Sequence, residues 1–292
     1  MYELEKVGES SYYIRCPAKI GVWAEDPQRV ILIDSGNDKE AGRKVRQVLD
    51  AQGWKLSAIV NTHSNADHIG GNKYLRAQTG CRIFANGIEA AFTRHPILEP
   101  AFLYGGYPCR ELRHKFLLAQ ESDALDFSHP DFPKALEVIP LPGHFFDMTG
   151  FRTPDGTVYL ADCLSSEATL EKYGIPFIYD VQAYLDTLKM VEAMQAPVFV
   201  PAHADATEDI APLARLNYEH TTASAEVLLS LCQTPVSFET ALRGMFDHYG
   251  LTLSMEQYAL VGSTVRSFLS WLKDKGELNA VFENNTLLWV KA

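Results

Sequence analysis

No apolar run in this chain of 292 residues approaches the roughly 18 residues of a spanning helix, so nothing in it reads as crossing a membrane. It also lacks any C-x-x-C pair. Its five cysteines (Cys16, Cys81, Cys109, Cys163 and Cys232) are odd in number and widely spaced, which points to reduced thiols and a cytoplasmic protein. The opening Met1-Tyr2-Glu3-Leu4-Glu5-Lys6 has no basic segment leading into an apolar one, so no secretory signal is expected. Positive charge is scarce: the formal net charge is −11, which argues against a general nucleic-acid or anionic-membrane surface and leaves only a local basic groove for such partners. There is no internal repeat, no low-complexity tract and no G-x-S-x-G, so a serine nucleophile on a strand-to-helix elbow is not expected. What is present is 47% hydrophobic, ample for a large core and a second domain.

The densest chemistry lies in Ser57 to Asn72, S-A-I-V-N-T-H-S-N-A-D-H-I-G-G-N. Ser57 to Asn61 has the β-branched, apolar centre of a buried strand. A turn carrying His63, Asn65, Asp67 and His68 follows, and Gly70-Gly71 opens a helix through Gln78. In an extended turn His63, Asn65 and Asp67 share one side, and His68 joins them where the chain bends. Imidazole and carboxylate together suit Zn²⁺ or a similar divalent ion. The plainer alternative is a polar turn whose histidines only cap and hydrogen-bond.

Thr62-His63-Ser64-Asn65-Ala66-Asp67-His68 resembles the T-H-x-H-x-D-H signature of the metallo-β-lactamase superfamily, with Asn65 in place of one histidine. Further stretches are similar to the family's other motifs, in order. I-D-S-G places Asp34 in a turn that supports the site from behind, although a turn-forming Asp before Gly is an equally good reading. L-P-G-H-F-F-D-M-T-G-F supplies His144, Y-L-A-D-C supplies Asp162, and V-P-A-H supplies His203, with alanines where glycines are usual. A helix cap is the other reading of Asp162, and Cys163 beside it is expected buried and unligated. His95, His114 and His129 lie beside prolines or charges and read as solvent-facing.

The resemblance spans about residues 10 to 205 and implies an α/β fold, a four-layer αββα sandwich. It is expected to form a metal-binding domain over 1–205, followed by a mostly helical extension over 206–292. It also implies one metal site at the His63, Asn65 and His144 positions, a second at Asp67, His68 and His203, and Asp162 between them. Zn²⁺ is the expected ion, with Mn²⁺ or Fe²⁺ as alternatives. A neutral carboxamide is a poorer Zn²⁺ ligand than imidazole, so one tightly held metal and a weak or empty second site are expected. The implied activity is hydrolysis of a small ester, thioester or amide-type substrate by metal-activated water, with Asp67 orienting that water. An RNA phosphodiesterase with Arg110, Arg113, His114 and Lys115 as its foothold is the alternative, and a non-catalytic metal-binding relative is a third.

Between Gly87 and Phe127 the pattern turns mostly helical, broken by prolines and by Tyr104-Gly105-Gly106-Tyr107-Pro108. This insertion is expected to wall the substrate pocket, with Tyr104 and Tyr107 as substrate contacts and Phe102 and Phe116 beside them, although aromatics so spaced also serve as core. The tail shows three helical stretches and a hairpin turning at Asn284-Asn285, which resembles the winged-helix extension of some superfamily members. Residues 205 to 292 hold 6 Lys and Arg against 11 Asp and Glu, so the tail reads as a packing or homodimerisation element rather than a nucleic-acid grip.

Overall fold

The computed structural model describes residues 2–292. Two sheets face each other. The first has seven strands in sequence order: β1 (Glu3–Lys6), β2 (Ser11–Arg15), β3 (Ile20–Ala24), β4 (Arg29–Ile33), β5 (Lys55–Val60), β6 (Arg82–Phe84) and β7 (Ala124–Leu125). It is antiparallel as far as β4 and parallel from there on. The second runs β11-β10-β9-β8, from β8 (Glu137–Pro140), β9 (Thr149–Arg152), β10 (Val158–Ser165) and β11 (Phe199–His203).

Alternation along the strands builds the layers. In β4, Val30 and Leu32 point to an outer core shared with Val45 and Leu49 of α1 (Lys39–Ala51). Leu75 joins the same core from beyond α2 (Ala66–Ile69), in α3 (Asn72–Thr79). Ile31 and Ile33 point the other way, into the core between the sheets, where they meet Phe151, Tyr159 and Val200. In β10, Tyr159 faces that inner core while Val158 and Leu160 face the opposite outer layer. The period-2 pattern of each strand thus covers both faces of each sheet, which yields the αββα sandwich.

The insertion departs from the expected helical character. Only α4 (Gly87–Arg94) and α5 (Leu98–Tyr104) are α-helices; Arg110–Leu112 is a single 3₁₀ turn, and the chain then passes through a turn closed by His114 and Leu118 and an irregular segment to β7. Gly105 ends α5 in a left-handed conformation, φ 78°, and Pro108 follows, so the helix stops there. Phe92 and Phe102 from these helices turn inward onto Phe145 and Phe146.

After β10 come α6 (Glu167–Tyr173) and α7 (Val181–Glu192), and after β11 the tail: α8 (Ala211–Leu231), β12 (Val236–Ser237), α9 (Phe238–Tyr249), α10 (Met255–Asp274), β13 (Leu278–Glu283) and β14 (Thr286–Lys291). Asn284 and Asn285 are both left-handed, the two-residue hairpin turn their side chains tolerate. Leu228, Phe246, Val265 and Phe268 of the tail share one buried cluster with Leu160, Leu185 and Leu188. No helix among the described residues is long and apolar enough to cross a membrane. All five cysteines are free, and Cys163 is fully buried in the outer core.

Candidate metal centre

The sequence-predicted donors lie at or beyond the C-terminal ends of strands, except Asp162, which lies within β10. His63 follows β5, and α2 carries Asp67 and His68 directly after it. Gly70 and Gly71 let this turn press against the Ser35–Asp38 segment: a Cβ on Gly70 would collide with the Asn37 carbonyl group. His144 follows β8 on a turn at Gly143, φ 122°, where a Cβ would collide with the backbone of Tyr184 in α7. Within β10 Ala161 is left-handed, φ 51°, and the pairing with β11 shifts register on both sides of it. This strained residue re-aims the strand and delivers Asp162 inward. His203 ends β11.

The side chains converge in two groups: Asp67, His68, Asp162 and His203 in one, His63, His144 and Asp162 in the other, with the donor atoms of each within 4.8 Å of one another. Asp162 bridges them. Its Oδ2 is 3.1 Å from His203 Nε2, 3.8 Å from His144 Nε2 and 4.0 Å from His63 Nε2. Asp67 Oδ2 is 3.6 Å from both His68 Nε2 and His203 Nε2.

Every imidazole is held from behind through Nδ1. His68 donates to Asp34 Oδ2 at 2.8 Å, His63 to Thr62 Oγ1 at 3.0 Å, His144 to the Phe177 carbonyl at 3.0 Å and His203 to the Pro17 carbonyl at 3.1 Å. Asp34 also accepts from the Thr62 amide and hydroxyl, both at 2.8 Å, and so ties the turn to the end of β4. With Nδ1 so engaged, Nε2 of all four rings points to the centre, the tautomer that metal ligation needs. Buried His63 Nε2, His68 Nε2 and Asp162 Oδ1 have no hydrogen-bond partner, although the last two are 3.1 Å apart. Orphaned lone pairs on imidazole and carboxylate that share one point fit a divalent cation.

Charge balance agrees. Burial holds the His63 and His144 imidazoles below the usual range, so both are neutral. Burial also opposes charge on His68 and His203, but the carboxylates outweigh it: Asp162, Asp67 and Asp34 push His68 well above the usual range, and Asp162 and Asp67 push His203 up to about 10. Asp67 is lowered to about 2 against the cost of burial, chiefly by His68 and His203. The anionic pair demands positive charge, which protons or a metal can supply.

Asn65 sits beside the second group, its Oδ1 3.3 Å from His144 Nε2. Two acids that the sequence reading did not single out stand behind this turn. Glu99 of α5 accepts from Asn65 Nδ2 at 2.8 Å, and Glu89 of α4 accepts from the Ser64 amide at 2.9 Å and hydroxyl at 2.6 Å. Glu89 shares its helix's buried face with Ala90 and Thr93, so helical periodicity carries the only sequence sign of it.

A cavity of about 940 Å³ opens over the centre, reaching Asp67, His144, Asp162 and His203. Phe177, Leu260 of α10, Leu170 of α6 and Phe116 wall it. Tyr104 and Tyr107, expected as substrate contacts, do not line it. Tyr104 borders a separate groove with Tyr179 and Trp271, and Tyr107 points outward, 74% exposed, under the Arg113 guanidinium. The reason is the end of α5 at Gly105, which carries the Gly-Gly segment away from the mouth. His95, His114 and His129 also lie outside the donor groups.

A family model described as the metallo-beta-lactamase superfamily matches residues 11–203. Among curated relatives, the hydroxyacylglutathione hydrolase of Methylococcus capsulatus is 43% identical over 60 residues, 20% of this chain and 22% of that protein. The hydroxyacylglutathione hydrolase of Methylobacillus flagellatus is 27% identical over 135 residues, 46% of this chain and 42% of that one. The chain thus matches less than half the length of these relatives. Among solved structures, a beta-lactamase domain protein from Burkholderia ambifaria superposes with a TM-score of 0.74 at 17% identity, covering 99% of this chain and 94% of that one. A metallo-beta-lactamase family protein from Thermus thermophilus gives 0.72 at 17% identity, covering 97% and 99%. Both likenesses extend through the C-terminal helices.

Proposed function

Since the chain belongs to the metallo-β-lactamase superfamily, we propose that it is a metal-dependent hydrolase of small acyl substrates, thioesters first, then esters and amides. The observation that carries this reading is the convergence of imidazole and carboxylate donors at one cavity, which Asp67, His144, Asp162 and His203 line and behind which the unpartnered Nε2 atoms of His63 and His68 are buried. The thioester preference is supported by relatives named hydroxyacylglutathione hydrolase. A divalent metal held there would supply water with a pKa of about 7 and Lewis acidity toward a carbonyl.

The protein's own groups do the rest. Asp67, partly open to the cavity, orients the attacking water and accepts its hydrogen at Oδ2. The carbonyl-anchored His144 and His203 and the carboxylate-anchored His68 keep their Nε2 atoms fixed, so little reorganisation is needed on binding. Phe177, Leu170 and Leu260 surround the acyl group and exclude bulk water. Asp67, His68, Asp162 and His203 would hold one metal tightly; His63, Asn65, His144 and Asp162 would hold a second more loosely. Zn²⁺ suits the first set, and Mn²⁺ or Fe²⁺ better tolerates the amide oxygen of the second. The nuclease reading is not favoured: Lys115 is paired with Asp38 at 2.8 Å and Arg113 is stacked on Tyr107.

The test combines elemental analysis of the purified chain with a panel of thioesters, lactones and phosphodiesters, each assayed with Zn²⁺, Mn²⁺ and Fe²⁺. Thioester turnover that disappears in Asp67→Asn is expected. Cleavage of phosphodiesters alone, or no bound metal, would overturn the reading.

A further inference from the structure

Asn65 faces two neighbours in opposite directions. Its Nδ2 donates to Glu99 Oε1 at 2.8 Å, and its Oδ1 lies 3.3 Å from His144 Nε2. The His144 ring is already committed, because its Nδ1 lies 3.0 Å from the Phe177 carbonyl, an oxygen that can only accept. The ring proton is therefore on Nδ1, and Nε2 presents a lone pair. Amide oxygen and bare ring nitrogen face each other as two acceptors, with His63 Nε2 a third, buried without a partner. Such a meeting is unfavourable unless a cation shares it.

Glu99 accepts from the other end of this amide. It is 3% exposed, and its Oε2 has no partner of its own, so its one interaction with a side chain at the centre is the bond from Asn65. A buried acid is costly to keep, which argues against a bystander role. The reverse amide orientation would turn Nδ2 toward His144 and remove the oxygen donor from the His63 group. We propose that Glu99 is a positioning residue that makes Asn65 an oxygen ligand, presenting Oδ1 to the group formed by His63, His144 and Asp162. The inference rests on the metal-hydrolase reading and deepens it. The unequal pair of sites is then built by α5 of the insertion, 34 residues from the turn it orients, as well as by the missing imidazole.

The experiment is a Mn²⁺ titration of the full chain after chelator dialysis, with free Mn²⁺ read by electron paramagnetic resonance, for wild type, Glu99→Leu and Glu99→Gln. Two classes of site are expected in the wild type. Glu99→Leu should weaken the looser class by roughly tenfold or more and leave the tighter class within about twofold, as loss of an outer-shell partner does. Glu99→Gln, whose amide oxygen still accepts from Nδ2, should keep both classes. In an Asn65→Ala background Glu99→Leu should add no further loss. If Glu99→Leu does not fold, Glu99→Met, closer in length, takes its place. An unchanged looser class in Glu99→Leu, equal weakening of both classes, equal loss in Glu99→Gln, or a wild type with a single class would each overturn the proposal. Failure of the hydrolase reading looks different: the wild type would lack even the tighter class.

Discussion

Ser64, between two candidate ligands, owes its position to an acid that binds no metal. Glu89 is fully buried and accepts from the Ser64 amide and hydroxyl with one oxygen and from the Asp147 amide at 2.8 Å with the other. It therefore ties the His63 turn to the His144 turn. Burial, only partly offset by these donors, pushes its carboxyl up to about 7. The folded pKa exceeds the unfolded one, so the contribution is complete below about 4.5 and is lost as pH rises through about 7. The loss is on the order of 3 kcal/mol. Urea unfolding of the chelator-treated protein should show it as a difference: the stability advantage of wild type over Glu89→Gln should shrink by that order between pH 4.5 and pH 8. An advantage that stays constant over this range would show that Glu89 does not titrate there.

At the scale of elements, the candidate ligands were legible as polar residues at strand ends because each is local. A buried strand, a turn and a polar residue at its end are all written within ten residues, as in Val198 to His203 or Leu136 to His144. The pocket wall was not, because it is assembled from α6, the segment before α7, and α10, which are distant in sequence. Aromatic content drew attention to Tyr104 and Tyr107, but the turn at Gly105 carries them outside, while Phe177, in a stretch with no motif, faces the cavity. Tyr107→Ala should accordingly leave kcat/KM within about twofold of wild type, as for an exposed surface change. Phe177→Ala should raise KM roughly tenfold by removing an apolar wall. It keeps the backbone carbonyl that holds His144, so metal content should not change. Steady-state kinetics with the best thioester of the panel decides the matter, and equal effects of the two variants would show that the wall is drawn wrongly.

The molecule as a whole is held together across the end of the recognisable motifs. After His203 the sequence shows helical stripes but nothing that says what they cover, since a stripe does not name its partner. The structure shows Leu228, Phe246, Val265 and Phe268 packed with Leu160, Leu185 and Leu188 in one core. α10 also holds the segment behind the centre: Thr264 Oγ1 accepts from the Ile178 amide at 3.1 Å, and Ser267 Oγ donates to the Tyr179 carbonyl at 2.8 Å. The adjoining Phe177 carbonyl positions His144, so the tail reaches this candidate ligand through three consecutive residues. A chain ending at Asp205 would uncover the outer core. Each large side chain so exposed gives up roughly 2 kcal/mol, and a handful of them equals the ~5–15 kcal/mol that keeps a domain folded. We therefore expect the truncated chain to bind a hydrophobic dye, to lose a cooperative thermal transition and to associate in sedimentation experiments. The milder Thr264→Val should fold, lose about 1 kcal/mol for the missing hydrogen bond and weaken metal binding at the His144 group more than at the His203 group. A truncated chain that unfolds cooperatively and holds metal as tightly as the full one would show that the tail is an appendage.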